Sequence, residues 1–144
     1  MNFSLMFSRR FFALGVLLTL VSGLSAATQT AKVAFSALGI SGSFNVKIDT
    51  SSHALVNVLN VDLVIDGHKY KIKDIGFIYD EVHNVNYIGG RVTGVDQLSV
   101  GVTDDFLIFW KPKIISGYFS FANAATPDPQ SGFAEVIVTP RAID

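Results

Sequence analysis

The chain contains three histidines, whose side chains could bind a metal ion. His53, His68 and His83 lie far apart in the sequence, without the short ligand spacing that marks a zinc site. The chain has no cysteine, no Gly-x-Ser-x-Gly motif and no glycine loop of the kind that cradles phosphate. Because the chain lacks these common nucleophile motifs and a phosphate-binding loop, the sequence implies neither a catalytic residue nor a cofactor.

Acidic side chains in predicted loops form a second candidate site. Calcium takes oxygen ligands, and these carboxylates are potential donors, although the spaced Asp-x-Asp-x-Asp-Gly loop is absent. The metal candidates are Asp80, Glu81, Asp104 and Asp105, with Asp96 between the two pairs. Two carboxylates at a defined separation could also serve as acid and base in glycoside hydrolysis. A carbohydrate-active enzyme therefore stands as an alternative to a binding protein.

Basic and aromatic side chains form a candidate ligand-binding set. Lys69, Lys71 and Lys73 alternate along one predicted strand and could contact an anionic surface, although solvent-facing lysines also protect a strand edge from aggregation. Aromatic rings can stack on sugar rings, and the candidates for this role are Trp110 and the tyrosines Tyr70, Tyr79, Tyr87 and Tyr118. A tryptophan in a run as apolar as Phe106–Trp110 is more often part of a protein core.

The first 27 residues have the three parts of a secretory signal peptide. The basic pair Arg9–Arg10 precedes the apolar run Phe11–Val21, and small residues follow, with Ser25 and Ala27 suited to signal peptidase. We therefore expect cleavage after Ala27 and an exported domain over residues 28–144.

The export route stays open between two alternatives. The segment Ser8–Phe12 resembles the twin-arginine signal, in which Ser or Thr precedes the arginine pair, while the leucine-rich core suits the general secretory route. An uncleaved anchor of about twenty residues is a lesser alternative, since no charge occurs from Phe11 to Ala31.

Charge and composition exclude several classes of protein. Removal of residues 1–27 leaves nine of the eleven basic residues against twelve acidic ones, which argues against nucleic-acid binding. The absence of cysteine excludes disulfides and a lipid-modified amino terminus. We expect no membrane span in the mature chain, and its 117 residues suffice for one domain with its own core.

The elements that position these residues are predicted to be strands. Alternation of apolar and polar residues runs through most of the mature chain, and Asp66–Gly67 is a sequence favoured in two-residue hairpin turns. Thr50–Ser52 marks a turn, and a change of parity predicts a bulge near Leu59–Asn60. Phe106–Trp110 is typical of a central strand. We predict an all-β fold, a single antiparallel β-sandwich or alternatively a small β-barrel.

Four segments of the chain form a pattern shared with a known group of proteins: the strand pair Val64–Tyr70, the Gly-Phe step at Gly76–Phe77, the segment Ile88–Gly90 and the strand Asp104–Leu107. In these segments the chain resembles the small exported β-domains of bacterial PEP-CTERM-type proteins. The Pro-Glu-Pro motif of the sorting tail of those proteins does not occur in this sequence. The resemblance implies a surface or matrix-associated protein and transfers no catalytic residue.

Together these observations predict an exported, non-enzymatic β-protein of the periplasm, cell surface or extracellular matrix. Its role would be binding or structural, with a polysaccharide or a surface protein as its partner. The alternatives are the small extracellular carbohydrate-active enzyme, acting through loop carboxylates, and a subunit of a surface assembly that offers an exposed apolar edge strand.

Overall fold

The fold is given by a computed structural model, which describes residues 27–90, 98, 104–123 and 126–141. Apart from Ala27, the expected signal segment lies outside these residues, as does Asp96. The strands are β1 (Thr28–Ala37), β2 (Ile40–Asp49), β3 (Leu55–Asp62), β4 (Val64–Ile65), β5 (His68–Lys69), β6 (Gly76–Asp80), β7 (Val85–Gly89), β8 (Asp105–Trp110), β9 (Ser116–Asn123) and β10 (Thr126–Pro140). A 3-10 turn, Ile72–Asp74, precedes β6.

Eight of these strands form one antiparallel sheet in the order β3-β2-β1-β10-β9-β8-β7-β6. The sheet curls so far that its two edge strands, β3 and β6, contact each other, which makes it a nearly closed, barrel-like sheet. The predicted all-β class is confirmed. Of the two architectures expected, the single curled sheet corresponds to the small barrel.

Alternation along the strands sends every second side chain into the interior of this barrel. Phe35, Phe44 and Phe119 meet there, with ring centroids of Phe35 at 5.9 Å from Phe44 and 5.0 Å from Phe119. Tyr70 closes one end of the interior, where its ring makes an edge contact with Phe106 at 4.7 Å. Trp110 lies toward the other end, where β8 finishes.

Two bulges in β3 keep its apolar residues inside the barrel. Asn45 pairs with Asn60 but Val46 pairs with Val58, so Leu59 is an extra residue, as the parity change predicts. A second bulge leaves Val56 unpaired. Because of this bulge, Val56 is exposed while Val58 is buried, so the two residues do not share a face although their spacing in the sequence predicts that they do.

The predicted hairpin at Asp66–Gly67 is confirmed. Ile65 pairs with His68, and the two turn residues have positive φ angles of 49° and 83°. These are the backbone angles that a tight two-residue hairpin requires and that favour glycine. The helical content of the described residues is limited to short turns, and no helix among them could cross a bilayer.

Candidate functional site

Four aromatic rings form a continuous row on the outer face of the barrel. Tyr87 pairs with Phe109, Phe109 with Tyr118, and Tyr118 with Phe133, so the row crosses the neighbouring strands β7, β8, β9 and β10 in register. Successive ring centroids are 5.5, 5.6 and 5.9 Å apart. We call these four residues the aromatic row.

The alternation of each strand explains why the row points outward. Ile88, Ile108, Phe119 and Ala134, each adjacent in sequence to a member of the row, are buried in the barrel. Phe133 itself is 86% exposed. A large apolar ring left in water next to three others is a feature of binding surfaces rather than of an ordinary sheet face.

Polar groups flank the aromatic row along β9 and β10. Tyr118 and Phe133 lie between the paired residues Ser120 and Ser131 on one side and the paired residues Ser116 and Glu135 on the other. Side chains two residues apart in a strand share a face, so these hydroxyls and the carboxylate are on the outer surface with the rings. Apolar ring surface and hydrogen-bonding groups therefore alternate within one patch.

The structure divides the five aromatic residues that the sequence offers for stacking. Tyr87 and Tyr118 are members of the aromatic row, whereas Tyr70 is buried at one end of the barrel. Tyr79 lies on β6, where its hydroxyl donates to the side-chain oxygen of Asn84 at 2.9 Å, and it is not part of the row. Trp110 is 3% exposed and lines a cavity of about 250 Å³ at its end of the barrel.

The three candidate lysines are exposed but do not follow one strand. β5 ends at Lys69, whereas Lys71 precedes the 3-10 turn and Lys73 lies within it. Asp74 sets this turn, because its side chain accepts a hydrogen bond from the backbone N–H of Lys71 at 3.1 Å. The expected continuous strand from residue 68 to 73 is therefore wrong, and the lysine stripe is interrupted.

The candidate carboxylates lie at opposite ends of the barrel. Asp80 and Glu81 are at the turn between β6 and β7, whereas Asp104 and Asp105 are at the start of β8. The five residues of β7 separate the two pairs by about 16 Å. Among the described residues, no group of three or more His, Asp or Glu side chains is arranged to hold a metal. The four carboxylates thus do not form one metal site or one acid–base pair.

Each acidic pair also has local partners. The carboxylate of Asp80 accepts from the backbone N–H groups of Val82 and His83 and contacts the His83 ring at 2.6 Å. The hydrogen bond from the His83 side chain is the main cause that lowers the pKa of Asp80. This is a carboxylate that stabilises its own turn in the ionised form.

At the other end of the barrel, Tyr70 and Asp105 are buried together. Asp105 is 1% exposed and accepts from the backbone N–H of Phe106 at 3.0 Å, while Asp104 lies 3.3 Å from His68. Burial, followed by the charges of Asp105 and Asp104, raises the pKa of Tyr70 well above its usual range. Tyr70 is therefore a neutral phenol that fills the barrel end rather than an acid or base near neutral pH.

Two of the four members of the aromatic row, Phe109 and Phe133, are not among the aromatic residues predicted from the sequence. Phe109 lies within an apolar run, and the register that places Phe133 beside Tyr118 is not defined by any local pattern. The last strand contained a signal for Phe133, which follows Gly132. Ala134 and Val136 occupy the alternating positions that face the core, so Phe133 lies at a position that faces outward.

Comparisons of the chain with protein-family models, curated proteins and solved structures found no match. The geometry of the described residues is therefore the basis for assigning a function.

Proposed function

We propose that this protein is an exported, non-enzymatic binding protein that holds a neutral polysaccharide chain against its outer aromatic row. The single observation that carries the proposal is the row itself, four rings in register across four strands, with Phe133 86% exposed. The proposal that the protein is exported rests on the signal-like sequence of residues 1–27.

The dimensions of the row suit an extended ligand. Four adjacent strands place the first and last rings about 14 Å apart, a length that would contact several consecutive sugar units. Each ring contacts at least one neighbouring ring and turns about only two side-chain bonds, so few side-chain rotations need to be frozen when a ligand binds. The row is therefore preorganised for a chain rather than for a small molecule.

The chemistry of the patch favours a glycan. Sugar rings have apolar faces that stack on aromatic rings and hydroxyls that need hydrogen-bond partners. Ser120 and Ser131 on one side of the row, and Ser116 and Glu135 on the other, supply such partners. The row and these flanking positions include a carboxylate and no basic residue, which favours a neutral polysaccharide over an anionic one.

An enzymatic role through the loop carboxylates is not favoured by the geometry, because Asp80 and Glu81 lie far from Asp104 and Asp105. A role as an assembly subunit, in which a partner strand would be inserted between the edge strands β3 and β6, is also not favoured. The Cα atoms of β3 and β6 approach within 8 Å, whereas an inserted strand needs two spacings of about 4.8 Å.

The test is retention on polysaccharides in affinity electrophoresis and pull-down, with neutral glucans, chitin and xylan beside anionic alginate. We expect the wild-type chain to be retained by a neutral polymer and Phe133→Ala to bind about tenfold more weakly, a loss of about 1.4 kcal/mol. The matched control is Ile137→Ala, which removes another exposed apolar side chain from the same face of β10 outside the row.

Both substitutions are at exposed positions and should change the free energy of unfolding by no more than about 0.5 kcal/mol. Equal binding by the wild type and Phe133→Ala would refute the proposal, as would retention by alginate alone. Failure of every polysaccharide, combined with a protein partner that is lost on Phe133→Ala, would make the row a protein-docking surface instead.

A further inference from the structure

Within the described part of the chain, one end of the barrel is closed, whereas the other is open and contains a cavity that the proposed function does not use. Tyr70 fills the first end. At the second end β10 runs on to Pro140, while its neighbour β9 begins only at Ser116, opposite Glu135. The segment between β8 and β9 covers this gap, since the backbone N–H of Val136 donates to the carbonyl of Ile115 at 2.8 Å.

A cavity of about 250 Å³ lies beneath that segment, and its walls are mostly apolar. Trp110 and Val136 are buried parts of its lining, and Val138 is partly buried. Ile114 and Ile115 line it as well, although 45% and 74% of these residues are exposed to water. Exposed isoleucines beside an apolar cavity would gain from contact with an apolar ligand.

Among the described residues, the polar side chains that line the cavity are basic. They are His53 and Lys113, and none of the described lining residues is acidic. Lys113 carries an ammonium group with three donors, and a histidine ring carries at least one N–H donor. Because Lys113 is exposed, a ligand whose charged group stays at the mouth would not have to bury its charge.

The volume sets the size of the ligand. A protein cavity of about 150 Å³ accommodates benzene, so by proportion 250 Å³ has room for about ten non-hydrogen atoms. That is the size of a medium-length alkyl chain.

We propose that the open end of the barrel is a binding site for a small amphiphile with an apolar chain and an anionic head group, such as a medium-chain carboxylate. The chain lies against Trp110, Val136 and Val138, and the head group meets Lys113 and His53 at the mouth. This site is separate from the aromatic row and does not depend on the proposed function.

The chain supplies its own reporter, because Trp110 is its only tryptophan. Titration of the protein with octanoate, below its micelle-forming concentration, should give a saturable change in Trp110 emission and a matching heat in calorimetry. Octanol should bind more weakly, and octylammonium, with the same chain and the opposite charge, more weakly still.

Two substitutions separate the head-group contact from the cavity. Lys113→Glu should weaken octanoate binding at least tenfold and leave octanol binding unchanged. Its matched control is Lys111→Glu in the same segment, since Lys111 is exposed and does not line the cavity. Val138→Phe should fill the cavity and abolish binding of both ligands, with the thermal unfolding transition as the check that the variant is folded.

The absence of saturable binding by octanoate in both measurements would overturn the proposal. Octylammonium binding as tight as octanoate binding, or equal effects of Lys113→Glu and Lys111→Glu, would overturn the assignment of an anionic head group. Binding of octanoate that survives in folded Val138→Phe would show that the ligand lies elsewhere.

Discussion

Asn86 links β7, the neighbour of the edge strand β6, to the start of the other edge strand, β3, with a single side chain. It is completely buried on β7, its amide oxygen accepts from the backbone N–H of Leu55 at 2.7 Å, and its amide nitrogen donates to the carbonyl of His53 at 3.2 Å. An amide can satisfy a donor and an acceptor at once, which a carboxylate or an apolar side chain cannot do. The closure near β3 therefore depends on this residue.

Replacement of Asn86 by alanine should lower the free energy of unfolding by about 2 to 3 kcal/mol, because a buried backbone donor and a partly buried acceptor lose their partner. The exposed Asn60→Ala on β3 is the control, with an expected change of no more than about 0.5 kcal/mol. Urea unfolding measures both variants. Equal midpoints for the two would show that the closure does not depend on the Asn86 amide.

Asp49 stabilises the turn that follows β2. Its side-chain oxygen accepts from the backbone N–H groups of Ser51 and Ser52, at 2.9 and 2.7 Å, and from both serine hydroxyls. The hydrogen bond from the Ser51 hydroxyl, followed by those from Ser52, holds the pKa of Asp49 far below its usual range. The turn was predictable from the run Thr50–Ser52, but the convergence of four donors on one carboxylate oxygen was not.

The lowered pKa gives a pH dependence with a definite sign. The ionised carboxylate contributes stability above the pKa of the unfolded chain, near 4, and this contribution is lost as the pH falls toward the lower folded value. Asp49→Asn should therefore be less stable than the wild type at pH 6, with a smaller difference at pH 2. Urea midpoints across this range provide the measurement, and parallel curves for the two proteins would contradict the expectation.

Among the strands, one hairpin turn and one bulge could be predicted from neighbouring residues, whereas the register between strands could not. The Asp66–Gly67 hairpin and the bulge at Leu59 follow from turn chemistry and from a change of parity, both visible in a few neighbouring residues. The second bulge, at Val56, escaped prediction because an apolar residue there fits either face. The aromatic row depends on the register between each pair of successive strands from β7 to β10, which no local pattern encodes.

The approach of β9 to β8 makes a specific demand on Gly117. A side-chain carbon at this position would overlap the carbonyl oxygen of Phe109 and crowd Val136 and Trp110. Backbone cannot move aside as a flexible side chain can, so Gly117→Ala should cost about 3 kcal/mol or more. Gly132→Ala on the adjacent strand is the matched control, because its new carbon would meet only the mobile end of Leu38.

Thermal unfolding of the two glycine variants provides the measurement. The melting temperature of Gly117→Ala should fall well below that of Gly132→Ala, which should stay close to the wild type. Equal melting temperatures would mean that β8 and β9 separate at low cost, contrary to the close pairing of Trp110 with Gly117.

For the whole molecule, the described barrel begins where the predicted export signal ends. β1 starts at Thr28, and the carbonyl of Ala27 accepts from the backbone N–H and the hydroxyl of Thr50, at 2.9 and 3.0 Å. Cleavage after Ala27 would leave all of β1 in the sheet. Amino-terminal sequencing of the protein recovered outside the cytoplasm should begin at Thr28, and an intact Met1 in that fraction would contradict the cleavage.

The barrel also separates its features by location. The rings of the aromatic row lie on the outer wall, the Trp110 cavity lies at one end, and the buried pair Tyr70 and Asp105 lies at the other. A ligand on the outer wall should therefore leave the interior unperturbed, and this allows the binding site to be located as well as detected.

The most direct test of the account is a titration of the isotope-labelled protein with a soluble fragment of the polysaccharide that retains it, followed by NMR of the aromatic side chains. We predict that the resonances of Tyr87, Phe109, Tyr118 and Phe133 shift together and saturably, while those of the interior rings Phe44 and Phe119 do not move. Shifts confined to other residues, or unchanged resonances of the aromatic row at saturating oligosaccharide, would contradict the assignment of this row as the binding site.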